Sequence, residues 1–136
     1  MTRDHIIETL RDLLQEAHPE VDTAYLFGSV ARGEVRASSD IDVAVLFRKT
    51  PPPTLDGLGA SLRIQDDAEA KLGQPVDVVV LNTAPLDLIH RVLRDGVILI
   101  DRDSIQRVRF EARSCLAYLD FLPVLRLYRR PRGTQS

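Results

Sequence analysis

Residues 27–47 read FGSVARGEVRASSDIDVAVLF and combine a glycine turn with two closely spaced aspartates. The apolar, β-branched segment Ile41–Phe47 predicts a buried strand, and Val21–Phe27 predicts the strand that leads into the turn. Alternate side chains of a strand point to one face, so we expect Asp40 and Asp42 to point the same way, with Cα atoms about 6.6 Å apart. Two such carboxylates repel each other and resist desolvation, and a divalent cation offsets both costs.

The turn before these aspartates has the features of a phosphate-binding loop. Gly28 allows a sharp turn and a close approach of the backbone to a ligand. Ser29 offers a hydroxyl at the start of a short helix, whose free N–H groups attract phosphate. Arg32 adds donors for a phosphate oxygen, although a solvated salt bridge with Glu34 explains it equally well. Mg²⁺ prefers carboxylate oxygens and keeps room for water and phosphates, so the pattern predicts a site for a metal-bound nucleoside triphosphate such as ATP.

A third carboxylate follows further along the chain. The segment Pro75–Leu81 (PVDVVVL) predicts another apolar strand, with Asp77 near its start. If the registers match, Asp77 lies beside Asp40 and Asp42, where it completes a metal shell, orients an acceptor hydroxyl and accepts its proton. The alternative is an ordinary charge at the end of a strand.

Gly28-Ser29, ten residues and then Asp40-x-Asp42 resemble the signature of minimal nucleotidyltransferases of the DNA polymerase beta-like superfamily. The text GSVARGE…SDIDVAV is especially similar to MntA-type antitoxins, which are encoded with a HEPN-domain toxin, HepT. This resemblance implies transfer of AMP from ATP to a tyrosine hydroxyl of the toxin, which blocks the toxin's RNase activity. It also implies that Gly28 and Ser29 bind phosphate and that Asp40, Asp42 and Asp77 are the catalytic and metal-binding carboxylates.

The remaining pattern predicts an α/β fold, a single small nucleotidyltransferase domain with a mixed β-sheet flanked by helices. Apolar periodicity predicts helices over residues 3–17, 55–72 and 85–94, and a strand over 97–100. A last helix is expected from Asp103 or Ser104 to about Leu122, with Pro123 as its limit and Cys115 in the core. We expect the domain to span residues 1–128 and the basic end, 129–136, to be disordered.

The composition limits the class of protein and the cellular compartment that we expect. A chain of 136 residues suits one domain, and its single cysteine excludes an internal disulfide, which favours the cytoplasm. Aromatic residues make up 5% with no Trp, which argues against a stacking platform for single-stranded nucleic acid. No apolar run approaches the roughly 20 residues of a membrane span, so we expect no membrane association.

We expect a single domain with no second domain for the acceptor, so a partner protein or a second copy of the chain is expected to position the acceptor. Apolar residues crowd the end of the last helix, which favours either a protein interface or extra core packing: Leu116, Leu119, Phe121, Leu122, Leu125, Leu127 and Tyr128. From residue 101 onward the chain has 8 basic and 4 acidic side chains, which suits an RNA or acidic partner, or a soluble tail. Homo-oligomers and hetero-oligomers with the toxin both remain open.

Two other functions fit the same motif. One is nucleotidyl transfer to a small molecule such as an antibiotic. The other is an antitoxin that neutralises its toxin by binding alone, with ATP incidental.

Overall fold

The computed structural model describes residues 1–34 and 40–128, which form one four-stranded sheet and five helices. The elements in chain order are α1 (Arg3–Ala17), β1 (Val21–Phe27), α2 (Gly28–Ala31), β2 (Ile41–Phe47), α3 (Leu55–Leu72), β3 (Val76–Val80), α4 (Leu86–Asp95), β4 (Val97–Asp101) and α5 (Ser104–Tyr128). The predicted tail, 129–136, lies outside the described residues.

The sheet is mixed, as predicted, with the strand order β3-β2-β1-β4. β1 pairs antiparallel with both β2 and β4, whereas β2 and β3 run parallel. A parallel pair needs a crossover connection, and α3 provides it. Asp42 and Asp77 are each the second residue of a strand. Because β2 and β3 run in the same direction, both residues lie at the same edge of the sheet, the one formed by the starts of these two strands.

Alternation along β2 separates two apolar layers. Ile41, Val43 and Val45 enter the larger core, which includes Leu10 of α1 and Ile64 of α3. On the other face, Ala44 and Leu46 pack with Tyr25, Ile89 of α4 and Phe110 of α5. Asp42 has the parity of this second set, so the face of the sheet that carries Asp42 also carries α4 and α5.

Arg102 joins the end of α1 to the sheet. Its guanidinium donates to the carbonyl oxygens of Leu14, Gln15, His18 and Val21, which include carbonyls left without an intrahelical partner. The contact fixes the end of α1 against the edge of the sheet opposite to Asp42.

The last helix differs from the prediction in two ways. Pro123 does not end it, because α5 continues to Tyr128. Proline removes one N–H donor, but its φ is helical, so the chain can resume the helix after one lost hydrogen bond. Cys115 was also expected in the core and is exposed, because it lies on the side of α5 that faces away from the sheet.

Within the described ranges, no helix is both long enough and apolar enough to cross a bilayer.

Candidate active site

Strand pairing brings two of the predicted carboxylates side by side. Asp42 of β2 is the register partner of Asp77 of β3. In a parallel pair, register partners project to the same face, with neighbouring strands about 4.8 Å apart. Asp42 is half-buried and Asp77 is exposed, so the pair opens to solvent at the edge of the sheet.

The glycine turn lies directly against Asp42. Phe27, the last residue of β1, pairs with Asp42, so the next residue begins beside this carboxylate. Gly28 has φ +74°, and a Cβ built on it would lie 2.3 Å from Asp42 Oδ2. Glycine is therefore required here for two reasons. The backbone is left-handed, and the carboxylate of Asp42 occupies the space that a Cβ would need.

Electrostatics identify Asp42 as the centre of the cluster. Burial raises the pKa of Asp42 above its usual range, and the charges of Asp77 and Asp40 raise it further. Arg32 and Arg91 act in the opposite direction and lower the pKa. Asp40 is exposed at the entry to β2 and is thus close enough to repel Asp42. Two neighbouring acidic groups thus disfavour the charge of Asp42.

Such a cluster fits a divalent cation by its chemistry. Within residues 1–34 and 40–128, no three acidic, histidine or cysteine side chains form a ready-made ligand set. Mg²⁺ does not need one, because it is commonly held by one or two carboxylates plus waters and substrate phosphates. The raised pKa of Asp42 and the close contact of this carboxylate with the Gly28 turn suit a cation that shares its shell with a ligand.

The short helix that the sequence predicts after the glycine turn is present. α2 begins at Gly28 and comprises 4 residues, so its dipole is that of a single turn. A phosphate at this position would depend on local N–H groups and the half-buried Ser29 hydroxyl. Arg32 lies 3.6 Å from Glu34 and 3.8 Å from Asp95, so the salt-bridge alternative is present in the structure.

Arg91 is the residue that the sequence analysis missed. It lies on α4, which runs back from the far end of β3 toward the edge that carries Asp42 and Asp77. Its charge reaches Asp42, and it lines a cleft of about 360 Å³ with Asp87, His90, Arg94 and Tyr118. The sequence carries no local signal that singles out Arg91 from the other arginines of the helices.

Comparison with known proteins places this geometry in a family. The polymerase beta nucleotidyltransferase family matches residues 8–105. The protein adenylyltransferase MntA of Shewanella oneidensis is 33% identical over 96 residues, which cover 71% of this chain and 63% of the relative. The chain therefore aligns with less than two thirds of that relative's length. An MntA from Thermococcus cleftensis is 33% identical over 72 residues, 53% of this chain and 68% of the relative.

Solved structures agree with the sequence comparison. A toxin–antitoxin crystal structure with AMP-PNP contains a chain that superimposes with a TM-score of 0.73 at 26% identity, over 90% of this chain and 93% of that chain. The match confirms the predicted α/β domain and the predicted resemblance to the MntA type. By its family match, its fold and its relatives, this chain belongs to the polymerase beta nucleotidyltransferase family.

Proposed function

We propose that this chain is an antitoxin that transfers AMP from ATP to a tyrosine hydroxyl of a HEPN-type toxin RNase and thereby neutralises it in the cytoplasm. The pairing of Asp42 with Asp77 beside Gly28 is the observation that carries the proposal. The relatives named protein adenylyltransferase MntA, and the toxin–antitoxin structure with AMP-PNP, support the same reaction class.

The reaction has a simple balance of bonds. The tyrosine oxygen attacks the α-phosphorus of ATP and forms a new P–O bond. The bond between the α-phosphorus and the oxygen that bridges to the β-phosphorus breaks, and pyrophosphate leaves. The phenolic proton passes to a carboxylate, and Asp77 is the exposed acidic group of the register pair.

Each protein group has a distinct task in this scheme. The Gly28-Ser29 turn holds the phosphates close to Asp42, and Arg32 and Arg91 place positive charge near the same carboxylate. Asp40, Asp42 and Asp77 would hold Mg²⁺, which offsets negative charge on the phosphates and the leaving group when it is bound. Catalysis then depends on positioning and electrostatic stabilisation rather than on a covalent protein intermediate.

The test is a transfer assay with ATP labelled at the α-phosphate, Mg²⁺ and the HEPN toxin encoded with this chain. We expect label on the toxin, and we expect the Asp42→Asn variant to lose at least 100-fold in rate. Asp66→Asn is the matched control, because Asp66 is an exposed aspartate of α3, which packs on the opposite face of the sheet.

Two readouts separate this function from its rivals. The RNase activity of the toxin should fall in proportion to the amount of labelled AMP on the toxin. If Asp42→Asn silences the RNase as well as the wild type does, the chain acts by binding alone. If the label appears on a small molecule and never on the toxin, the acceptor is misassigned.

A further inference from the structure

α5 exposes an apolar surface that the domain itself does not cover. We call it the α5 seam, and it comprises Ile105, Val108, Ala112, Cys115, Leu116 and Leu119, all exposed. Leu116 is 65% exposed and Leu119 is 55% exposed. Single apolar side chains on a surface are ordinary, but a contiguous row along one helix marks a place where something binds.

The orientation of α5 prevents the seam from turning inward. Phe110 and Ser114, on the opposite side of the helix, are buried against the sheet. Glu111 accepts a hydrogen bond of 2.7 Å from the Tyr25 hydroxyl and is also bonded by Arg107. The helix is thus apolar on two opposite sides, and its own domain buries only one of them.

The spacing of the seam suits another helix. Ile105, Val108, Ala112, Cys115 and Leu119 follow one another at intervals of three, four, three and four residues. A 3.5-residue period is typical of paired helices, because it keeps apolar side chains facing the partner helix over several turns as the two helices wind around each other.

The charges beside the seam favour a partner of opposite sign over a second copy of the chain. Arg109 and Arg113 lie one turn apart along one flank of the seam, the exposed Asp120 lies two turns further along the same flank, and Arg126 follows beyond the end of the seam. Among the described residues, none of these arginines forms an ion pair. A second copy of α5 offers only Asp120 as a partner for Arg109 and Arg113, whereas a helix with carboxylates along its flank would pair with both arginines.

The seam also lies on the helix that packs against α4, which carries Arg91. α5 begins after Asp101, which pairs with Thr23 at the edge of the sheet far from Asp42. It then crosses the face that carries Asp42 and reaches α4, where Tyr118 stacks on His90 with ring centroids 3.9 Å apart. Leu116 and Leu119 are therefore within one helical turn of Tyr118, which lines the cleft that also contains Arg91.

We propose that the α5 seam is the docking surface for the acceptor protein, through an amphipathic helix whose apolar stripe is flanked by acidic side chains. The proposal rests on the proposed function in one respect, that the docked protein is also the acceptor. Docking there places the acceptor on the face of the sheet to which Asp42 and Asp77 point.

The first experiment compares two double variants with wild type, using the HEPN toxin encoded with this chain as the probe. Leu116→Glu/Leu119→Glu should raise KM for the toxin about 30-fold or more and leave KM for ATP unchanged. Leu58→Glu/Leu62→Glu is the matched control, because these leucines of α3 are 54% and 44% exposed and receive the same charge. An equal rise of KM in both variants would overturn the proposal.

The second experiment does not depend on catalysis. Cys115 is the only cysteine of the chain and lies in the seam, so its rate of alkylation reports coverage directly. We expect the toxin to slow alkylation of Cys115 at least 10-fold, in the wild type and in Asp42→Asn. Unchanged alkylation in the complex, or protection by a second copy of this chain without the toxin, would contradict the proposal. Protection without AMP transfer would instead leave the docking intact and overturn the proposed reaction.

Discussion

Replacing Gly28 by alanine tests the arrangement of the site with the smallest possible change. One methyl group is added at a residue with φ +74°, 2.3 Å from Asp42 Oδ2. The variant keeps every charged group of the site, so any loss of activity comes from the position of Asp42 rather than from its removal.

Two separate effects determine how much stability and activity Gly28→Ala loses. The left-handed backbone costs a residue with a Cβ roughly 1–2 kcal/mol, which lowers Tm by about 4–8 °C in a domain of this size. The contact is relieved when the flexible carboxylate moves by about 1 Å, to an ordinary van der Waals distance. A displacement of that size at a reacting centre costs about 100-fold in rate. We therefore expect a modest loss of stability and a large loss of activity.

Gly73→Ala is the matched control for the backbone term. Gly73 ends α3 with φ +68°, and a Cβ there meets nothing within 4 Å. Thermal unfolding should show a similar decrease of Tm in both variants, whereas AMP transfer should fall about 100-fold only in Gly28→Ala. If Gly28→Ala retained activity within a few-fold of Gly73→Ala, the close contact between the turn and Asp42 would have no functional meaning.

Three further substitutions have expected outcomes. Asp42→Asn should stabilise the metal-free protein in thermal unfolding at pH 7, because a carboxyl whose pKa is raised in the folded state opposes folding once it is ionised; a lower Tm would contradict this. Arg102→Ala should cost about 2 kcal/mol in urea unfolding, because four carbonyl oxygens lose a charged donor; an unchanged midpoint would show that water replaces it. Tyr25→Phe should cost about 1 kcal/mol in the same assay, because it removes the buried hydrogen bond to Glu111, and AMP transfer should persist.

The strands and most helices could be predicted because their signals are local. Val21–Phe27 and Ile41–Phe47 are apolar runs of strand length, and the structure gives the same bounds. Gly73 directly follows the helix predicted over residues 55–72, and it ends α3 in the left-handed conformation. In each case a short stretch of sequence contains both the pattern and its boundary.

The site could be predicted only in part, because its assembly is not local. The pairing of Asp42 with Asp77 depends on the parallel register of two strands separated by α3. The motif suggested that Asp42 and Asp77 lie close together, but this proximity depends on the pairing of β2 with β3. Arg91 was missed since its place near Asp42 follows from the direction in which α4 packs, and no local pattern distinguishes it from other helix arginines.

α5 shows why helical periodicity alone misassigns a face. Ile105, Val108, Ala112, Leu116 and Leu119 repeat at three or four residues, and such a stripe normally marks the core side of a helix. The structure buries the opposite side, because Phe110 and Ser114 fit against the sheet and Glu111 bonds to Tyr25. When a helix is apolar on two sides, periodicity cannot decide which side its own domain uses.

The two apolar sides of α5 also connect the small size of the domain to its chemistry. A domain with one sheet and α4 beside it can cover one side of the helix, and the buried side closes the layer above Tyr25 and Ala44. The other side remains available along a helix of 25 residues, about 38 Å long, that passes from the far edge of the sheet to the neighbourhood of Arg91. A partner that covers the seam would bury apolar area on the face of the sheet to which Asp42 and Asp77 point, so its affinity would come from a surface separate from the carboxylates. On this reasoning, substitutions in the seam should weaken transfer through KM for the partner, whereas substitutions at Asp42 should act on the rate of the chemical step.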